Sequence, residues 1–235
     1  MVNSQPNPGP DAWLDARRAL LVREKELTRL RDEVSALRRA LPHRPMERAY
    51  VFDSPQGPRS MLDLFGDSQQ LLVYHFMFGP DWEAGCPSCT FWADHFDPMI
   101  PHLRARDTAF AVVSSAPLAK LQPYAERMGW RFPWVCSATN EFNREFAVTF
   151  SEQEVAGRSP LYNFGTQSAH GQQMPGASAF LRKGDEIVHT YSTYSRGLDI
   201  LNGTYHWLDL TAKGRDEAQL THPMAWVRRH DEYPG

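Results

Sequence analysis

The sequence is short of cysteine, of long apolar runs and of net charge, and each shortage removes a class of protein. Only three cysteines occur in 235 residues. An odd number, with two of them close together, argues against a disulfide framework and for a reducing compartment. No apolar run approaches the roughly 20 residues that a membrane helix needs, and the mean hydropathy of -0.51 agrees. The first ten residues are polar and proline-rich, without the basic start and apolar core of a secretory signal. A formal net charge of -3 gives no field that would draw in nucleic acid or anionic lipid. Gly-rich phosphate loops, hydrolase elbows and paired catalytic carboxylates are absent as motifs. These absences predict a soluble cytoplasmic protein with no nucleic-acid and no membrane partner.

What is present is ordinary globular composition, 42% hydrophobic and 23% charged, enough to bury a core without disulfide staples. Residues 1–11 read as a flexible tail and 12–48 as a charged helical extension. Its apolar positions are Leu20, Leu27, Leu30, Val34, Leu37 and Leu41, which from Leu27 onward step by three and four in a heptad register. That stripe suits either a dimerising coiled coil, which would make the protein a homodimer, or a helix packed on its own domain. Pro42 and Pro45 end it.

Residues 49–235 have the texture of one α/β domain. Strands are expected at 49–53, 71–78, 109–114 and 132–136, and helices at 117–128, closed by Gly129, and at 140–148. A hairpin is expected from 178–182 and 186–192 around Lys183-Gly184-Asp185. Residues 151–175, rich in Gly, Ser, Gln and Pro, read as a long surface loop, and 198–210 as a closing helix weakened by Gly203.

The informative residues are Gly85-Cys86-Pro87-Ser88-Cys89, which follow a buried strand and a short turn and lead into a helix. Free N–H groups and the positive end of the helix dipole stabilise a thiolate there. Cys86 at the N-cap would attack a disulfide, and Cys89, one turn inside, would resolve the mixed disulfide. Two other readings stand beside this one. Half of a zinc site would need Cys136 and His95 as further ligands, and no second pair with metal spacing exists, so no metal is expected. Inert core cysteines are the other, and that is the reading for Cys136, in Phe132-Pro133-Trp134-Val135-Cys136. His75, in the strand, and His95, nine residues past Cys86, are candidate proton shuttles because histidine titrates in the right range.

The chain resembles the DUF899 family, predicted dithiol-disulfide oxidoreductases of thioredoxin-like fold. The likeness is carried by Tyr74-His75-Phe76-Met77-Phe78-Gly79-Pro80-Asp81-Trp82 leading into the cysteine pair, and by Met128-Gly129-Trp130-Arg131-Phe132-Pro133-Trp134-Val135. Further on, His189-Thr190-Tyr191-Ser192-Thr193-Tyr194 and Lys213-Gly214-Arg215-Asp216-Glu217 match. The resemblance implies a thioredoxin-like three-layer α/β/α sandwich with a central mixed sheet, and Cys86 and Cys89 at its reactive end. It also implies a cis-proline opposite the cysteines, for which Pro175 is the candidate. Trp82, Pro87, Pro175, Tyr191, Tyr194 and Arg196 are the candidates for a substrate or partner groove.

The expected activity is thiol–disulfide exchange on a protein or small-molecule disulfide, with a thioredoxin- or glutathione-type reductant and no bound organic cofactor. A peroxiredoxin-like thiol peroxidase is less favoured. The hydroxyl and proline expected three and seven residues before its cysteine are replaced here by Glu83 and Gly79. A non-catalytic small-molecule-binding or assembly protein with structural cysteines is the alternative from another class.

Overall fold

Side chains alternate across a strand, and in the strand that follows Ser68 and Gln69 both alternating rows are apolar. Leu71 and Val73 point to one face, Tyr74 to the other, and all three are buried. A strand covered on both sides has to lie inside a sheet with a layer on each face, and the computed structural model has this arrangement. It describes residues 9–157 and 161–234.

The chain divides into two units, 1–42 and 43–235. The first holds the helix α1 (Gly9–Arg39), none of whose residues is buried. It begins earlier than expected, so residues 9–11 are helical rather than tail; residues 1–8 of that tail lie outside the described residues. The second unit begins before residue 49 because β1 (Arg44–Pro45) already pairs with the last long strand of its sheet.

In that unit β2 (Val51–Phe52) and β3 (Arg59–Ser60) form a small ribbon, followed by α2 (Met61–Phe65). Then come β4 (Gln70–His75), α3 (Pro87–Ala93), α4 (Phe96–Arg104), β5 (Thr108–Ser114), α5 (Leu118–Met128) and β6 (Trp134–Cys136). Two short helices follow, α6 (Phe142–Glu145) and α7 (Glu152–Ala156). The hairpin β7 (Gly176–Lys183) and β8 (Glu186–Tyr194) leads through a 3-10 helix (Ser195–Leu201) into α8 (Gly203–Leu208). The large sheet runs β1-β8-β7-β4-β5-β6. β4, β5 and β6 are parallel, whereas β7 pairs antiparallel to β4 and to β8. A parallel strand–helix–strand unit extended by an antiparallel hairpin gives the mixed sheet of a thioredoxin-like fold.

One face carries Tyr74, Phe110, Val112 and Trp134 under Phe91, Phe96, Leu121 and Tyr124 of α3, α4 and α5. The other carries Leu71, Val73, Ala111, Val113 and Phe180 under Met61, Leu64, Phe65, Phe142 and Phe146 of α2 and α6. This is the three-layer sandwich, with β4 at its centre.

The same alternation disposes of His75 as a proton shuttle. It shares a face with Leu71 and Val73, stacks on Phe142 and Phe146 at 5.6 and 5.4 Å, and meets Ser178 Oγ through Nε2 at 2.9 Å. The cysteine-bearing helix covers the opposite face.

Three segments differ from the pattern read in the sequence. The helix expected at 140–148 is one turn, because Asn140 Oδ1 accepts the Phe142 N–H at 2.9 Å and Ala147 turns the chain at φ 50°. The expected surface loop at 151–175 is mostly exposed among its described residues, but it carries the short helix α7 and is anchored by buried Tyr162, Ala169, Gln173 and Met174. The closing helix is broken at Asn202, whose side chain caps α8 by accepting from the Tyr205 N–H at 3.0 Å.

Burial pushes the His75 ring down to about 3, so in the folded protein it is neutral while an unfolded histidine, near 6.5, protonates. A depressed base stabilises the fold fully above the unfolded value, and that stability is lost as the pH falls from about 6.5 towards 3. Between pH 6.5 and 5 the group accounts for about 1.5 kcal/mol of the loss. Urea unfolding of a His75→Leu variant should show a drop over that interval smaller by this amount, whatever its stability at pH 7. An equal drop would contradict the assignment.

Candidate active site

The turn between β4 and α3 brings Cys86 to the helix start and fixes it there by sterics and backbone bonds. Gly85 has no room for a side chain: a Cβ would stand 2.7 Å from the Phe76 ring and 2.9 Å from the Tyr124 ring. Its carbonyl accepts from Arg229 Nη2 at 2.7 Å. Lys120 Nζ donates to the carbonyls of Pro80 and Trp82 at 2.8 and 3.0 Å. Cys86 is the N-cap of α3 and Pro87 its first residue, where a missing N–H costs nothing. The Cys86 N–H donates to the Met77 carbonyl at 3.0 Å, and the Met77 N–H donates to Cys89 Sγ at 3.4 Å. Thr90 closes the first turn by donating its N–H and hydroxyl to the Cys86 carbonyl, at 2.9 and 3.0 Å.

The two sulfurs are unequal. Cys86 is half-buried and its thiol is drawn down to about 7, first by the Cys89 thiol and then, against burial, by the N–H groups of Cys89 and Ser88. Cys89 is 1% exposed, and burial holds its thiol well above the ordinary range. The Met77 N–H and the Tyr74 hydroxyl act the other way on it, favouring its ionised form. Both thiols are free.

They open into a cavity of about 660 Å³. Of the residues singled out in the sequence, Cys86, Cys89, Pro175 and Arg196 line it, and the rest are elsewhere. Trp82 lies over Gly79, within 3.0 Å of where a Cβ would be. Tyr194 is buried against Tyr162 and Phe164, at 5.5 and 5.3 Å. Tyr191 sits on β8 opposite Ala179, off the cavity. His95 is a staple: Nδ1 meets the Phe91 carbonyl at 3.0 Å and Nε2 meets Thr204 Oγ1 at 2.9 Å. No described peptide bond is cis, so the Met174–Pro175 bond is trans. Cys136 is buried in β6, with its thiol raised by burial, away from the cavity. Among the described residues no three His, Cys, Asp or Glu side chains gather as metal ligands, and no helix is long and apolar enough to cross a membrane.

Several cavity residues escaped the sequence reading. Tyr74 was findable, since alternation puts it on the cysteine face, one residue out of phase with His75. Trp92 stands three residues after Cys89 on the same helix, so helical spacing puts the two on one face. Tyr162, Arg215 and Glu217 also line the cavity, and nothing in their spacing connects them with Cys86.

Fold and site together define a thioredoxin-like α/β protein with two free cysteines, one helical turn apart, facing a partly open cavity. The chain belongs to the DUF899 family, bacterial proteins of unknown function, whose model matches residues 3–233. No curated protein matches the sequence. Among solved structures it is similar to the peroxidoxin BcpB of Mycobacterium tuberculosis, at 16% identity and a TM-score of 0.47, over 67% of this chain and 91% of that one. A mutant of Xanthomonas campestris peroxiredoxin Q aligns at 15% identity and 0.45, over 67% and 91%. A mutant of Arenicola marina peroxiredoxin 6 aligns at 13% and 0.47, over 68% and 70%.

Thiolates, not thiols, react with alkylating agents. Iodoacetamide labelling of Cys86 should therefore rise through pH about 7 and level off above it. Cys89 and Cys136 should stay unlabelled in the folded protein, as peptide mapping by mass spectrometry would show. A Cys86 midpoint near the ordinary ~8.5 would mean that the helix start does not stabilise the thiolate.

Proposed function

We propose that the protein is a thiol–disulfide oxidoreductase in which Cys86 is the nucleophile and Cys89 the resolving thiol. The observation that carries this is the asymmetry of the pair. The accessible sulfur is the one drawn towards ionisation at neutral pH, and the shielded sulfur is the one held protonated until needed. The Cys86 thiolate attacks a substrate disulfide, one substrate thiolate leaves and takes up a proton, and the remainder stays bonded to Cys86. Cys89 then loses its proton and attacks the Cys86 sulfur, releasing the second substrate thiol. The protein is oxidised by two electrons and holds a Cys86–Cys89 disulfide. One dithiol of thioredoxin type, or a pair of monothiols of glutathione type, returns it to the free thiols found here and leaves as the oxidised disulfide. The Tyr74 hydroxyl and Met77 N–H support the resolving step, since both favour the Cys89 thiolate.

Trapping tests the assignment of roles. A Cys89→Ser variant should accumulate a mixed disulfide at Cys86, visible as an adduct on a non-reducing gel and by intact mass. A Cys86→Ser variant should form none. Equal adducts from both variants, or none from Cys89→Ser, would overturn the assignment.

A further inference from the structure

We infer that the disulfide reduced here belongs to a small molecule with an apolar, aromatic-compatible body, not to a folded protein. This rests on the dithiol reading above and adds the substrate class to it. In a bare strand–helix junction the N-cap sulfur would stand at an open surface. In this chain the segment after β8 returns over it: the 3-10 helix, α8 and the stretch to Met224 supply the far wall of the cavity. That wall is locked from within. Glu217 Oε1 accepts from the Tyr205 hydroxyl at 2.8 Å, from Trp226 Nε1 at 2.7 Å and from the Met224 N–H at 3.0 Å. Arg215 lies 3.8 Å over the Tyr205 ring and bridges Asp199 and Asp209 at 3.0 and 2.8 Å.

Volume and chemistry then select the occupant. About 660 Å³ is the size of a small-ligand pocket. Met77, Met174 and Met224 offer polarisable thioethers, which adapt to irregular apolar and aromatic shapes, beside Trp92 and Leu198. Among the described residues the arginines and Glu217 of the wall have partners: Arg215 as above, Glu217 through three donors, and the exposed Arg196 through Asp199 at 3.1 Å. A ligand rich in carboxylates, such as glutathione disulfide, would have to draw Arg215 or Arg196 away from these described partners, whereas an uncharged body leaves them in place.

Reduced protein should be assayed with dibenzyl disulfide, glutathione disulfide and insulin, each rate being divided by that of dithiothreitol with the same disulfide. The expected result is at least a tenfold preference for dibenzyl disulfide. Met224→Trp, which fills the cavity, should abolish that preference and slow iodoacetamide labelling of Cys86 while leaving the pH midpoint of that labelling where it was. On the unmodified protein, dibenzyl sulfide, which has no disulfide to reduce, should slow that labelling. Glutathione disulfide or insulin reduced as fast, or no protection by dibenzyl sulfide, would overturn the substrate class while leaving the dithiol reading intact. Failure of all three disulfides together with an empty Cys89→Ser trap would overturn both.

Helix α1 carries a second inference by itself. Trp13, Leu20, Leu27 and Val34 recur every seven residues, and Leu30 and Leu37 stand three after the last two. All but Val34 are exposed, Leu30 by 55% and Leu37 by 60%. With these at positions a and d, Glu26 and Glu33 occupy g, and Arg31 and Arg38 occupy e. In a parallel pair each g residue meets the e residue of the next heptad on the other strand. Glu26 thus meets Arg31 and Glu33 meets Arg38, whereas an antiparallel pair would set like charges together. Spacing and charge point to a parallel two-stranded coiled coil with a second copy of this chain. Light scattering on the full chain should give a dimer. Glu26→Arg with Glu33→Arg should dissociate it, and adding Arg31→Glu with Arg38→Glu should restore it. A monomeric parent, or a dimer indifferent to the reversal, would overturn the inference.

Discussion

Both sulfur atoms are tied to a single residue just beyond the central strand. The Met77 carbonyl takes the N–H of Cys86, and its own N–H reaches the sulfur of Cys89. One peptide segment of a strand end therefore sets the height of the helix start above the sheet and the depth of its first turn. That segment is rigid because β4 is held on both sides, parallel to β5 and antiparallel to β7. The surrounding features keep this clamp closed. Phe76 and Tyr124 leave space only for a glycine at position 85, and Arg229 and Lys120 hold the carbonyls of the turn.

From that clamp follows the difference between two chemically identical side chains. The sulfur at the N-cap lies beside free N–H groups, which favour its anion. The sulfur one turn inside is wrapped in the apolar layer between sheet and helices, where burial favours the neutral form. The two effects act in opposite directions on groups three residues apart, so position makes the two thiols unequal. His75 and His95 are committed elsewhere, His75 to the opposite layer and His95 to joining α3 to α8.

The additions to the sheet-and-helix core wall one side of the site, which stays open on the other. The 161–175 segment brings Tyr162, whose hydroxyl donates to the Pro175 carbonyl at 2.7 Å and accepts the Ser195 N–H at 2.9 Å. It thereby joins the approach to β7 to the start of the returning segment. Glu217 plays the matching part further on, gathering Tyr205, Met224 and Trp226 around one carboxylate. These polar anchors sit inside apolar walls and are satisfied there, which is the condition for burying them without a large cost.

Local pattern determined a good deal by itself. The apolar run of β4, the glycine that ends α5 in a left-handed turn at φ 68°, the β7–β8 hairpin and the position of the cysteine pair at a helix start all follow from spacings of a few residues. The inequality of Cys86 and Cys89 is local only on one side: the helix start brings N–H donors to Cys86, whereas the burial that raises Cys89 comes from tertiary packing. What tertiary structure decided is everything that depends on which face meets which layer. A one-residue change of phase separates Tyr74, on the cysteine side, from His75, on the other. Chain separations of more than a hundred residues bring Arg215 and Glu217 to the same cavity as Cys86. Polar composition concealed the packing of 161–175, where two large side chains, Tyr162 and Met174, outweigh their neighbours. Short-range order is written in the periodicity of the chain, whereas a cavity wall is a meeting of distant segments, fixed only when the whole core finds its lowest free energy.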